Sequence, residues 1–98
     1  MATFISTIRF TGKGLQGIQE TVKRSAAFKA AGKKLGVKVS SIYWMLGPFD
    51  GLIVFEAPDD ETATAAMLHL SSQGNIHTTT SRAFGASEME KVVGILSK

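Results

Sequence analysis

"MLGPFDGLIVFEAPDD", residues 45–60, decides the fold. Its centre, Gly47-Pro48-Phe49-Asp50-Gly51, gathers the residue types that reverse a chain. Proline presets φ, glycine accepts left-handed backbone, and aspartate takes hydrogen bonds from nearby amides. Apolar, β-branched and aromatic segments flank this turn, VKVSSIYWML (37–46) before it and LIVFEA (52–57) after it. The pattern predicts two antiparallel strands joined as a hairpin. Pro58 cannot continue a central strand. Asp59 or Asp60 then caps a helix whose dipole Glu61 favours.

Outward from the hairpin, the other elements follow. ATFISTIRF (2–10) alternates as a strand, with Phe4, Ile8 and Phe10 on one face. Thr3, Thr7 and Arg9 take the other face, together with Ile5. Gly12 and Gly14 break it, and a long helix is expected over 15–35. Its apolar stripe runs through Leu15, Ile18, Val22, Ser25, Phe28 and Leu35, and Gly36 ends it. After the hairpin, Ala63, Ala66, Met67 and Leu70 mark the buried side of a second helix that Gly74-Asn75 stops. IHTTTSRAF (76–84) reads as the fourth strand. Ser87 to Glu90 has the form of a capping box, and Met89, Val92, Val93 and Leu96 give a short terminal helix.

The order is thus β-α-β-β-α-β-α, an α+β, ferredoxin-like arrangement with a C-terminal helix added. It predicts one domain over 1–98 and a four-stranded antiparallel sheet of order 4-1-3-2. Two crossover helices cover one sheet face and leave the other open. In the second strand Ile42, Trp44 and Leu46 oppose Val39, Tyr43 and Met45, so neither face there is polar. Such a sheet needs a partner, and the economical partner is a second copy packed face to face, with a pocket between the sheets.

Composition excludes several classes. There is no cysteine, so disulfides and thiolate metal sites are impossible. No apolar run approaches the ~20 residues that span a bilayer, and the first residues lack the form of a signal peptide. A soluble, unexported, cytoplasmic protein is expected. The net charge is +3, and it is unevenly spread. Residues 13–38 hold seven cations (Lys13, Lys23, Arg24, Lys29, Lys33, Lys34, Lys38) against Glu20 alone. Most of these fall on the outer side of the first helix, as a solvated face. A nucleic-acid module would need patterned aromatics on the open sheet, and the third strand has none of the required motif.

The segments FISTIRFT, LGPFDGLIVFEAPDDETA and GNIHTTTSRAF together resemble the GYD-domain family, small bacterial and archaeal proteins named for a Gly-x-Tyr-Asp-like signature. The resemblance spans nearly the whole chain. It implies a ferredoxin-like, dimeric α+β-barrel domain and little about activity. Gly47 and Asp50 match the signature, whereas Phe49 stands at its tyrosine and brings no phenolic hydroxyl.

Candidate ligand-binding residues are Tyr43, Gly47, Phe49, Asp50, Glu56, Thr78, Thr80 and Arg82. Asp50 is either a turn acceptor or a ligand anchor at a pocket rim. Glu56 either faces the inter-sheet pocket or pairs with Arg9 or Arg82 across neighbouring strands. Thr78, Thr80 and Arg82 share one strand face, and the threonines could offer hydroxyls beside Tyr43 to a small polar ligand. His69 and His77 lack the spacing of metal ligands, no glycine pattern fits a dinucleotide fingerprint, and no cofactor is expected. The expected function is a homodimeric barrel that binds a small molecule. The alternatives are a dimeric-barrel enzyme using Asp50, Glu56 or His77 as proton acceptor on a small hydrophobic substrate, and a nucleic-acid-binding module.

Overall fold

The computed structural model describes residues 1–97. Strand β1 (Ala2–Phe10) leads through a short helix α1 (Gly12–Gln16) and a 3-10 turn (Ile18–Glu20) into helix α2 (Thr21–Leu35). Strands β2 (Lys38–Trp44) and β3 (Gly51–Ala57) form the hairpin. Helix α3 (Asp60–Ser71), strand β4 (Ile76–Ala83) and helix α4 (Ala86–Leu96) complete the chain. The sheet order is β2-β3-β1-β4, all pairs antiparallel, as the ferredoxin-like reading requires.

Strict alternation along β1 and β3 sorts the two sheet faces. Phe4, Ser6 and Ile8 pair across with Phe55, Ile53 and Gly51, and all six are buried. The Phe4 and Phe55 rings stack with centroids 5.4 Å apart. Phe28 of α2 and Ala63, Ala66 and Met67 of α3 close this face into the core. Asp59 caps α3 by accepting from the Thr62 amide at 2.7 Å. Hydrogen bonding from Thr62, side chain and then backbone, holds the Asp59 carboxyl below its ordinary range.

Three expectations need correction. The long helix over 15–35 is broken. Glycines at 12, 14 and 17 weaken helix, and here they also allow close contacts: Gly14 lies against the backbone of Asn75 and Gly17 against the Arg24 guanidinium. Of the expected stripe only Phe28 is buried, and Leu15, Ile18, Val22 and Leu35 are exposed. Next, a bulge at Ser40 shifts the register of β2, so that Val39 pairs with Phe55 and Ile42 with Ile53. Val39, Ile42 and Trp44 therefore share the helix side, and Tyr43 opposes them.

The third correction concerns α4. It starts two residues earlier than the expected cap: Glu88, not Glu90, reaches back to the Gly85 amide. None of its residues is buried, and Met89, Val92, Val93 and Leu96 are all exposed. The radius of gyration is 14.9 Å, above the ~13 Å of a compact hundred-residue domain. The chain does not fold this helix back onto its own core.

On the open face, Ile5, Leu52 and Val54 form a half-buried apolar centre among Thr7, Ser41, Thr79 and Ser81. Arg9 and His77 pair at one end, and Glu56 pairs with both Lys38 and Thr3 at the other. Among the described residues no helix is long and apolar enough to cross a membrane.

Candidate functional site

The GPFD turn is built around Asp50. Its Oδ2 accepts from the Phe10 amide at 2.8 Å. Its own amide donates to the Ile8 carbonyl at 2.8 Å, and its carbonyl accepts from the Met45 amide at 2.9 Å. One residue thus closes the hairpin and pins it to the end of β1. Gly47 has φ +135°, a backbone state that residues with a Cβ rarely adopt. Phe49 lies under the Arg9 guanidinium, whose carbon sits 5.2 Å from the ring centroid.

This geometry separates two substitutions. Asp50→Ala leaves the partly buried Phe10 amide without an acceptor and should destabilise the fold by about 1–3 kcal/mol. Asp50→Asn keeps an acceptor oxygen and should cost less than half of that. Urea denaturation of the two variants checks the ordering; equal losses would contradict the pinning role.

Asp50 also stands at the wall of a cavity of about 70 Å³ between α2, α3 and the helix side of the sheet. Its walls are mostly apolar: Phe28 from α2, Leu70 from α3, and Ile8, Ile42, Ile53 and Ile76 from the four strands. Trp44 lies at its edge, and its indole Nε1 donates to Thr21 Oγ1 at 3.0 Å, tying β2 to the start of α2.

Three polar residues break the apolar lining besides Asp50 and the hydroxyls of Thr21 and Ser25. Gln73 and Asn75 come from the turn after α3, and Arg24 from α2. That turn is stapled to α1. The Asn75 carbonyl accepts from the Thr11 amide at 3.0 Å, Thr11 Oγ1 donates to the Gly74 carbonyl at 2.6 Å, and Lys13 Nζ donates to the Gln73 carbonyl at 2.8 Å. The staple holds Asn75 in place, yet its side-chain Oδ1 is buried without any hydrogen-bond partner. Arg24 is half-buried, and among the described residues neither ion pair includes it. Asn75 and Arg24 thus share one cavity wall, the first with a buried oxygen that has no partner, the second outside both ion pairs of the described residues.

Sequence reasoning passed over these groups. Arg24 sits within a run of cations and looks like one more member of a solvated face. Asn75 looks like a helix stop. Only the topology, which brings the α2 start, the α3 end and the GPFD turn together, shows what they share.

The remaining candidates lie elsewhere. Tyr43 contributes to the cavity wall, but its side-chain position in the register is on the open face, opposite Leu52. Thr78 and Thr80 are on the helix side, so the expected grouping of their hydroxyls with Tyr43 does not form. Thr80 Oγ1 donates to buried Ser6 at 3.0 Å, and Thr78 shares a hydrogen bond with Ser71. Both line an open groove of about 440 Å³ between α3 and β4, with Arg82 at its end.

Arg82 stacks over Phe4 and Phe84, donates to the Thr3 and Ala83 carbonyls, and pairs with Glu88 at 2.8 Å. That hydrogen bond, followed by the one from the Gly85 amide, lowers the Glu88 carboxyl from its ordinary value. Glu56 pairs with neither Arg9 nor Arg82. Arg82 is on the opposite sheet face, and the residue beside Glu56 on β2 is Lys38. Among the described residues no cluster of His, Asp and Glu side chains is suited to hold a metal ion.

The model of the GYD domain matches residues 4–93. The chain belongs to the GYD-domain family. One relative, the "glutamine synthetase and cystathionine beta-lyase binding protein" of Thermus thermophilus, is 36% identical over 93 residues, covering 91% of this chain and 95% of that protein. Among solved structures, TTHA0845 from Thermus thermophilus superposes with a TM-score of 0.58 at 25% identity, over 88% of this chain and 96% of that one. The 5-chloro-2-hydroxyhydroquinone dehydrochlorinase of Burkholderia phenoliruptrix gives 0.62 at 14% identity, over 89% and 97%. At that identity the second likeness speaks to the fold alone. The α+β, ferredoxin-like architecture is thereby shared with both structures.

Proposed function

We propose that this GYD-domain protein is a homodimer that binds a small molecule in the cavity between α2 and the sheet. The observation that carries the reading is the wall of that cavity, apolar for the most part but interrupted by Arg24, Asp50, Gln73 and Asn75. An apolar chamber with a few convergent polar groups is the usual form of a small-molecule site. The dimer rests on a different feature. Ile5, Leu52 and Val54 make an apolar centre on a sheet face that no helix covers among the described residues, and α4 carries a second exposed apolar stripe.

Placing the ligand on the helix side departs from the inter-sheet pocket that the sequence suggests. It also weakens the enzyme alternative, which needs a proton acceptor beside the substrate. Asp50 is committed to the Phe10 amide, while Glu56 and His77 are on the open face. The nucleic-acid alternative gains little from Arg24, which is half-buried at the cavity wall.

Native mass spectrometry of protein purified from its own host tests both halves. The expected result is a dimer carrying a dissociable mass increment. Val54→Glu, which puts a charge at the centre of the proposed interface, should give a monomer. A bare species would contradict the ligand reading, and a Val54→Glu dimer would contradict the face-to-face packing.

The Thermus relative favours a second, compatible reading in which the dimer docks on enzymes such as glutamine synthetase or cystathionine β-lyase. Co-purification of either enzyme with the tagged chain from its host would support it, and the ligand would then be the signal that the complex senses.

A further inference from the structure

We infer, resting on the dimer reading above, that α4 is an exchanged arm: its apolar stripe packs on the second copy of the chain. Met89, Val92, Val93 and Leu96 recur at helical spacing along one side of α4, and all four are exposed. A helix of 11 residues does not hold its shape in water unaided, where about 12–15 residues are marginal even in alanine-rich peptides. This one also carries β-branched Val92, Val93 and Ile95 and, near its end, Gly94, each a weaker helix former than alanine. It therefore needs a surface to lie against.

Its own chain does not supply that surface. None of its residues is buried, and its first turn is tied in place. Glu88 pairs with Arg82 and accepts from the Gly85 amide, and Arg82 is held in turn by the Thr3 and Ala83 carbonyls. The molecule measures 54 Å along its longest axis, against about 30 Å for the nine residues of β1, so the anchored helix adds to its length.

Surface area favours the second copy as the occupant. The chain exposes 6515 Å², whereas a compact monomer of 98 residues exposes about 5,400 Å². The excess of about 1,100 Å² is of the order that each partner buries in a standard interface, about 800 Å². Reach agrees. Facing sheets lie about 10 Å apart, and α4, about 16 Å long, starts at the end of β4 and can span that gap. A two-fold axis makes the exchange reciprocal, so each copy gives one arm and receives one. A membrane fits less well. The polar side of α4 carries Glu88, Glu90 and Lys91, without the cationic excess of interfacial helices.

Isotope-filtered NOE spectroscopy reads the contact directly, on labelled and unlabelled intact chains mixed and left to exchange subunits. The Val93 and Leu96 methyls should show NOEs to protons of the other chain. Sedimentation equilibrium adds the strength of the contact. Val93→Gln combined with Leu96→Gln should weaken the dimer at least about 100-fold, because each dimer loses four buried apolar side chains. Glutamine forms helix better than valine and about as well as leucine, so lost helicity does not explain that effect. Lys91→Gln, on the opposite side of α4, should change the dissociation constant less than about threefold. A wild-type dimer without cross-chain NOEs from α4, or one that the double substitution leaves equally tight, overturns the exchange and leaves the face-to-face dimer standing. A wild-type monomer overturns both.

Discussion

Gly14→Ala should lower the melting temperature by about 12–24 °C, the equivalent of about 3 kcal/mol in a domain of this size. Gly14 is buried in α1, and a Cβ there would overlap the Asn75 carbonyl oxygen. The obstacle is backbone on both sides, so no side-chain rotation relieves it. The same carbonyl accepts from the Thr11 amide, and Thr11 Oγ1 accepts from the Gly14 amide at 3.0 Å. Displacing the joint therefore breaks several bonds together and moves a wall of the cavity. Gly12→Ala is the matched control, because its Cβ would meet nothing within 4 Å. It should be neutral or slightly stabilising. Calorimetry of the two variants decides the point, and similar melting temperatures would contradict the close approach of α1 to the α3–β4 turn.

Phe55→Ala should cost about 3–5 kcal/mol, the usual range for emptying a buried phenylalanine site. Phe55 is fully buried at the centre of the sheet, stacked on Phe4 and paired with Val39. The site is hemmed by two neighbouring strands and cannot collapse readily. Phe55→Leu retains most of the volume and should lose clearly less. Urea unfolding of both measures it. A loss below about 1.5 kcal/mol for the alanine variant would mean that the core is centred elsewhere.

The fold was legible because its decisive signals are local. Period-two alternation in residues 2–10, the turn chemistry of 47–51 and the proline at 58 each have one economical reading, and together they imply the strand order. What was hidden depends on single residues or on distance. A bulge at Ser40 adds one residue without disturbing composition, yet it moves Val39 to the helix side, beside Ile42 and Trp44. Three glycines within six positions look like a tolerable start to a long helix until the Asn75 backbone is seen beside them. The apolar spacing of α4 predicts burial, but spacing cannot say whether the covering surface belongs to the same chain.

Two residues of the candidate site were legible in the sequence, Tyr43 and, more prominently, Asp50. The position of Asp50 in a signature-bearing turn singled it out, and the structure assigns it first to architecture, through the Phe10 amide. Arg24 and Asn75 are common residue types in unexceptional contexts, far apart along the chain. Their shared cavity exists only because the ferredoxin-like topology places the start of α2 beside the end of α3. Thr78, Thr80 and Arg82 were noticed as a polar strand, and they turn out to be engaged with Ser71, Ser6 and Glu88.

Whether a small molecule binds in the helix-side cavity is open to direct measurement by two-dimensional amide NMR. The protein would be titrated with an extract of small metabolites from its host. Shifts should cluster at Ser25, Phe28, Asn75 and the Trp44 indole, all at the cavity wall. Shifts confined to Ile5, Val54 and Ser81 on the open face, or no shifts at all, would contradict binding in that cavity.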